Sequence, residues 1–419
     1  MSIYKVGVIG GGTMGAGIAQ VISFAGTPVV LKEVNDQFLQ KALSSIRKVY
    51  EGRVAKGRMK PEELEERMKL VTPTTRYSDL KDADLVIEAV PEIMKLKLEI
   101  FKELDSVCSE GAILATNTSA LSISGIASAT QRPDKVVGMH FFYPAPVMKL
   151  VEVIPGLETS DETAEEIIGF AESLRKIPIK VRECPGFLVN RLLMPYLNEA
   201  VMALQEGAVG SDGKAAGIRE IDAAMKAQGW PMGPFTLIDA LGIDICAEAG
   251  KVLWEGYGDR MRPAELWSRI LEKKWLGRKG GIGFYDYSAA AETPEGAKPN
   301  TQMLKEIQDL QQKTGRKATR FAPERLMSII INEAVLALQE GISSASEIEM
   351  GVLAGLGYPP SKGGLLHAAD ALGIDTLVDT LDQWTKELGF RFHPAHRLRT
   401  MRHAGHLGVK TKKGFFTYA

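Results

Sequence analysis

The stretch Lys5 to Glu33 reads KVGVIGGGTMGAGIAQVISFAGTPVVLKE, and the rest of the chain is organised around it. The run Val6 to Ile9 has the length and β-branched content of a buried parallel strand. Gly10, Gly12 and Gly15 follow at GxGxxG spacing, a helical stretch runs from about Thr13 to Phe24, and Gly26 is placed to end it. A second apolar run, Val29 to Leu31, leads to the acid Glu33. Strand, glycine turn, helix, strand and acid in this order specify a dinucleotide site. Gly10 allows the tight turn, Gly12 removes a side chain where a pyrophosphate sits, and Gly15 lets helix and strand pack closely. The helix N-terminus offers free N–H groups to the phosphates. Glu33 would accept from ribose hydroxyls and repel a 2′-phosphate, so NAD is expected over NADP, with Lys32 beside it as the opposing influence.

Composition narrows the class. The chain has 419 residues, enough for two or three domains. Lys+Arg 51 against Asp+Glu 52 gives a net charge of -1, so no general attraction to nucleic acid or anionic membrane is expected. Cys108, Cys184 and Cys246 form no CxxC pair, so neither zinc nor a disulfide framework is expected and a reducing cytoplasm fits. The N-terminus enters the first strand directly, so no signal peptide is expected, and no apolar run reaches the roughly 20 residues that span a bilayer.

Asp36 to Arg58 alternates Leu39, Leu43, Ile46 and Val49 with Lys and Arg, which reads as a solvated helix face, with a basic surface for a phosphate-bearing substrate as the competing reading. Strand-like runs resume at Lys69 to Val71, Leu85 to Glu88 and Ile113 to Thr116, with a helix from about Met94 to Val107 between the last two. This alternation predicts a doubly wound parallel sheet to about residue 180, with ligands beyond the carboxyl ends of its strands. Glu88 to Glu92 and Thr116 to Ser119 are placed there. Val136 to Met139 reads as a further strand closed by His140, followed by FFYP and VMKLVEVI. A histidine ending a strand beside a dinucleotide site suits acid–base work at an alcohol carbon, because imidazole titrates near neutrality. Glu152, alternating with Val151 and Val153, is placed to fix its tautomer. A satisfied structural histidine is the competing reading.

The motifs GGGTMGAGIAQ, IEAVPEIMKLK, ATNTSALSI, GMHFFYPAPVMKLVEVI, CPGFLVNRLL and GWPMGPFTLIDALGID, in this order over about residues 3 to 287, resemble the L-3-hydroxyacyl-CoA dehydrogenase family. The resemblance implies an α/β Rossmann-like N-terminal domain, an α-helical C-terminal domain and an acyl-CoA substrate in the cleft between them. It implies a catalytic pair His140 and Glu152, with Ser119 and Asn190 holding the 3-hydroxyl or the thioester carbonyl. It implies NAD contacts at Gly10, Gly12, Gly15, Glu33, Glu92, Lys97 and Asn117. From the residues alone Ser119 reads as a turn residue and Asn190 as a helix cap. This chain departs from the family at Tyr143, which often is Asn or Ser. The basic residues expected for the CoA phosphates, on the helix after Glu33, match only in part: Ser45, Arg47, Lys48 and Arg53 are nearby, without one-to-one correspondence beyond about Val49. An NAD-dependent dehydrogenase of a non-CoA hydroxy acid is the alternative function.

Beyond Pro185 the chain turns helical, with stretches at Phe187 to Gln205 and Arg219 to Lys226, and then repeats itself. RLLMPYLNEAVMALQEG from Arg191 matches RLMSIIINEAVLALQEG from Arg325. DALGID recurs at Asp239 and Asp370, and LGRKGGIGFYDY at Leu276 matches LGVKTKKGFFTY at Leu407. The expected organisation is an NAD-binding Rossmann-like domain over 1–183, a helical module over 184–287, a polar linker over 288–319 and a second, degenerate module over 320–419. Asn190 aligns with Glu324, so the second module reads as structural. It is expected to occupy the place of a partner subunit as an internal pseudo-dimer, leaving a monomer or an oligomer through another face. His393, His396, His403 and His406 lack cysteine or carboxylate partners in sequence, and no metal is expected.

Overall fold

The structure is a computed structural model that describes residues 3–288, 296–314 and 318–419. The chain divides into two compact units at Phe187/Leu188.

The first unit follows the βαβ order: β1 (Val6–Ile9), α1 (Thr13–Ala25), β2 (Val29–Lys32), α2 (Asp36–Ala55), α3 (Pro61–Lys69), β3 (Val71–Thr74) and β4 (Leu85–Glu88). It continues through α4 (Met94–Val107), β5 (Ile113–Thr116), α5 (Ile123–Ala127), β6 (Val136–Phe141), β7 (Leu150–Pro155), α6 (Asp161–Ser173) and β8 (Ile177–Lys180). These strands form one eight-stranded sheet in the order β3-β2-β1-β4-β5-β6-β7-β8. The apolar runs of β1, β4 and β5 are buried throughout, as strands covered by helices on both faces must be.

The expectation of an all-parallel sheet is corrected at its far edge. β7 runs antiparallel to β6, and β8 follows β7 in parallel. The connection from Phe142 to Lys149 contains no helix, and a parallel crossover needs a dozen or more residues, so the chain reverses. Strand β6 also extends one residue beyond His140. Chain direction across the sheet switches between β1 and β4, where β1 pairs with both β2 and β4. Crevices of this kind, outside the carboxyl ends of two strands, hold ligands.

The second unit holds both repeats. The first comprises α7 (Val189–Gln205), α8 (Ile218–Ala227), α9 (Pro234–Leu241), α10 (Ile243–Tyr257) and α11 (Leu266–Glu272). After α12 (Thr301–Thr314), the second comprises α13 (Pro323–Gln339), α14 (Ala345–Gly355), α15 (Leu365–Leu372), α16 (Ile374–Leu388) and α17 (His396–His403). The expected linker is therefore partly structured. Met303, Ile307 and Leu310 make a buried stripe on α12, and Glu306 pairs with Arg269 and Lys273 of the first repeat. Residues 289–295 and 315–317 of that stretch lie outside the described residues.

Helices α7 and α13 pack against each other, and their charged residues pair reciprocally. Arg191 reaches Glu333 at 2.7 Å and Glu340 at 2.8 Å. Arg325 reaches Glu199 at 2.6 Å and Glu206 at 2.8 Å. Each arginine thus pairs with the other repeat's copies of the same two glutamates. Arg391 joins Glu199 as Arg260 joins Glu333. This is the reciprocity of a two-fold interface, within one chain. No helix among the described residues is long and apolar enough to cross a membrane.

Candidate active site

The antiparallel register of β6 and β7 places His140 directly opposite Glu152. Opposed residues of a pair present their side chains on one face. The ring Nδ1 lies 2.8 Å from Glu152 Oε2, and both residues are buried. An ionised carboxylate only accepts, so a neutral imidazole beside it carries its proton on Nδ1 and its lone pair on Nε2. The Phe142 ring, with its centroid 4.6 Å away, and the Phe187 ring, 5.8 Å away, pack against the imidazole. They restrict the orientation of its plane.

The strand ends around His140 are stitched together. Asn117, just past β5, accepts the Phe141 N–H at 2.8 Å, which ties its loop to the histidine strand. Ser119, two residues on, sits in a turn held by Glu92. Glu92 Oε1 accepts from Thr118 Oγ1 at 2.5 Å, the Ser119 N–H at 2.8 Å and the Ala120 N–H at 3.1 Å. Lys97, fully buried on α4, lies 3.3 Å from Glu92 and donates to Glu88 at 2.7 Å. Glu88, buried at the end of β4, also accepts from Thr116 Oγ1 at 2.8 Å. Glu88 was placed at the strand ends by sequence but was given no role there. Its signal was an acid closing the otherwise apolar strand LVIE, which only an ion pair makes tolerable.

The glycine turn behaves as its spacing implies. Gly10 has φ 89°, open to glycine at little cost. A Cβ at Gly15 would overlap the Gly10 carbonyl oxygen, whereas one at Gly12 would meet no atom within 4 Å. So Gly15 is required by packing, and Gly12 faces open space. No side chain caps α1, which leaves its first N–H groups toward that space. A cavity of about 780 Å³ opens there, lined by the glycines, Glu33 and Val90 among others. Glu33 accepts the Gly11 N–H at 2.6 Å and stands at the end of β2. The Lys32 ammonium lies 3.9 Å from the centroid of the Tyr77 ring, and burial pushes its pKa below the usual lysine range. Open space at Gly12, an uncapped helix start and a carboxylate at the ribose position fit a dinucleotide. Tyr143 is exposed and lines the same cavity.

Asn190 occupies the first turn of α7, in the second unit. Its counterpart Glu324 is likewise in the first turn of α13.

The family model described as "3-hydroxyacyl-CoA dehydrogenase, NAD binding domain" matches residues 5–184. The model of the "3-hydroxyacyl-CoA dehydrogenase, C-terminal domain" matches twice, over 186–287 and 321–418. The chain belongs to the 3-hydroxyacyl-CoA dehydrogenase family. Its N-terminal part is that family's NAD-binding domain, and its C-terminal domain is present in two copies. Among curated proteins, the fatty acid oxidation complex subunit alpha of Shewanella sp. (strain MR-4) is 37% identical over 401 residues, 95% of this chain and 55% of that protein. The chain thus spans about half the length of the curated relatives it matches. Among solved structures, 3-hydroxybutyryl-CoA dehydrogenase from Escherichia coli K12 superposes with a TM-score of 0.84 at 29% identity, covering 96% of this chain and 99% of that one. (S)-3-hydroxybutyryl-CoA dehydrogenase from Ralstonia eutropha is 39% identical, with a TM-score of 0.65, over 68% of this chain and 99% of its own.

Proposed function

We propose that this protein oxidises the 3-hydroxyl of an L-3-hydroxyacyl-CoA to a ketone, using NAD, as a step of fatty-acid oxidation. The observation that carries the proposal is the buried His140–Glu152 pair in the family's motif beside a cavity that fits a dinucleotide. Oxidation breaks the C3–H and O–H bonds and forms C=O. The cofactor, when bound, supplies the hydride acceptor. His140 Nε2 takes the hydroxyl proton, and Glu152, already bonded to Nδ1, stabilises the imidazolium that results. Ser119 and Asn190 match the family's active-site serine and asparagine, and we assign both to the oxygens of the substrate. Glu92 has a positioning role, because its carboxylate sets the turn that carries Ser119. Glu33 selects NAD through the ribose hydroxyls.

The assay is NADH formation from L-3-hydroxyacyl-CoAs of graded chain length, repeated with the free hydroxy acids and with NADP. Turnover of the CoA thioesters with NAD is expected. Turnover of free acids alone would replace the substrate, and equal use of NADP would show that Lys32 outweighs Glu33.

A further inference from the structure

Beside the dinucleotide cavity, and sharing Pro146 with it, lies a second cavity of about 180 Å³. Its charged lining residues are Arg53, Lys149, Arg175 and Lys176, with no carboxylate among them. They come from α2, from the turn between α6 and β8, and from the loop before β7. Three arginines elsewhere in this unit have acids beside them: Arg47 has Glu65, Arg76 has Asp79, and Arg132 has Asp105. None of the four around this cavity forms an ion pair among the described residues. The Arg53 guanidinium carbon lies 4.2 Å from the centroid of the Phe24 ring, and its buried Nε has no hydrogen-bond partner there. Lys176 is buried and donates to the Ala145 and Met148 carbonyls at 2.6 and 2.7 Å, which leaves one of its three donors. Lys149 and Arg175 are exposed.

Like charges gathered around a concave space without counter-ions repel one another, and an anion in that space relieves the repulsion. The strain is visible at Lys176, whose pKa is held down at about 8 by burial and by the Lys149 charge. Guanidinium pairs match phosphate oxygens in geometry as well as charge. We infer that the cavity between Arg53, Lys149, Arg175 and Lys176 is a binding site for a phosphate group. Two sources have this chemistry: the phosphates in the nucleotide tail of a CoA thioester, which rests on the substrate proposed above, and a free phosphomonoester, which does not.

The test is calorimetric titration of the full chain with adenosine 3′,5′-bisphosphate and with inorganic phosphate, NADH being present at saturation to occupy the dinucleotide site. The wild-type chain should bind the bisphosphate, and Arg53→Gln and Arg175→Gln should each weaken it roughly tenfold, the effect of one charge-assisted hydrogen bond. Lys149→Gln, at an exposed position, gives the same reading should Arg53→Gln fail to fold. CoA that displaces the bisphosphate identifies the substrate tail as the source, and simultaneous binding identifies a free phosphate. Wild-type chain that binds neither probe, or an Arg53→Gln/Arg175→Gln chain that binds as wild type does, overturns the site. Because the readout is binding, its failure is separate from any failure of the dehydrogenase assay.

Discussion

At His140 the proposed chemistry turns on one proton held between Nδ1 and Glu152. Replacing His140 by Gln keeps the size and polarity of the side chain and removes its ability to take a proton. The expected loss in kcat is about 10²–10⁴-fold, with NADH affinity, followed by fluorescence titration, close to wild type. Glu152→Gln offers an amide that can donate to Nδ1 and so favours the wrong tautomer, and kcat should fall there too. Near wild-type turnover by either variant would remove the pair from the mechanism. The pair was legible in sequence because strands alternate: Glu152 had to leave the side taken by Val151 and Val153. The partners of Glu92 were not legible. Thr118, Ser119 and Ala120 converge on its carboxylate through a turn whose shape only the fold supplies.

At the scale of elements, the two repeats use one device twice. Asp239 accepts from the Phe284 and Tyr285 N–H groups and the Tyr287 hydroxyl, and Asp370 accepts from Phe415, Phe416 and Tyr418 in the same way. A Cβ on Gly283 or Gly414 would overlap those carboxylates. This explains why DALGID and GF recur together: the acid of one segment holds the backbone of the other. Asp239→Ala leaves two buried N–H groups unpaired and should cost about 2–6 kcal/mol of stability in chemical denaturation, at about 1–3 kcal/mol for each group. Burial raises the Asp239 carboxyl to about 6 from its ordinary 3.8. The folded state therefore keeps the proton between those values. This contribution to stability is full below 3.8 and is lost as pH rises through about 6. Asp239→Asn should flatten that part of the stability profile, and an unchanged slope would assign it to another group. Strands β1, β4 and β5 were legible as unbroken apolar runs. Helix α12 was not, because its three apolar positions are set among polar residues that read as linker. The direction of β7 was equally hidden, since it depends on what the connecting loop lacks.

For the second unit as a whole, the pairing of Arg191 and Arg325 with the opposite repeat's glutamates decides what happens when one repeat is removed. Both arginines are fully buried. A buried charge that loses its partner costs about 3–5 kcal/mol, so the faces of α7 and α13 cannot be left open at little cost. Helix α7 carries both halves of the contact, Arg191 and the acids Glu199 and Glu206. A second α7 laid on the first in the place of α13 would rebuild every pair. A chain ending at Ser288 should therefore dimerise through α7, where the full chain uses a tethered copy at high effective concentration. Arg191→Glu alone places like charges opposite one another on both sides of the axis and should abolish that dimer. Combining Arg191→Glu and Arg260→Glu with Glu199→Arg and Glu206→Arg reverses all these signs together and should restore it. Sedimentation velocity of the three truncated chains reads the outcome directly. A truncated wild-type chain that stays monomeric, soluble and active would show that α13 does not stand where a partner's α7 would.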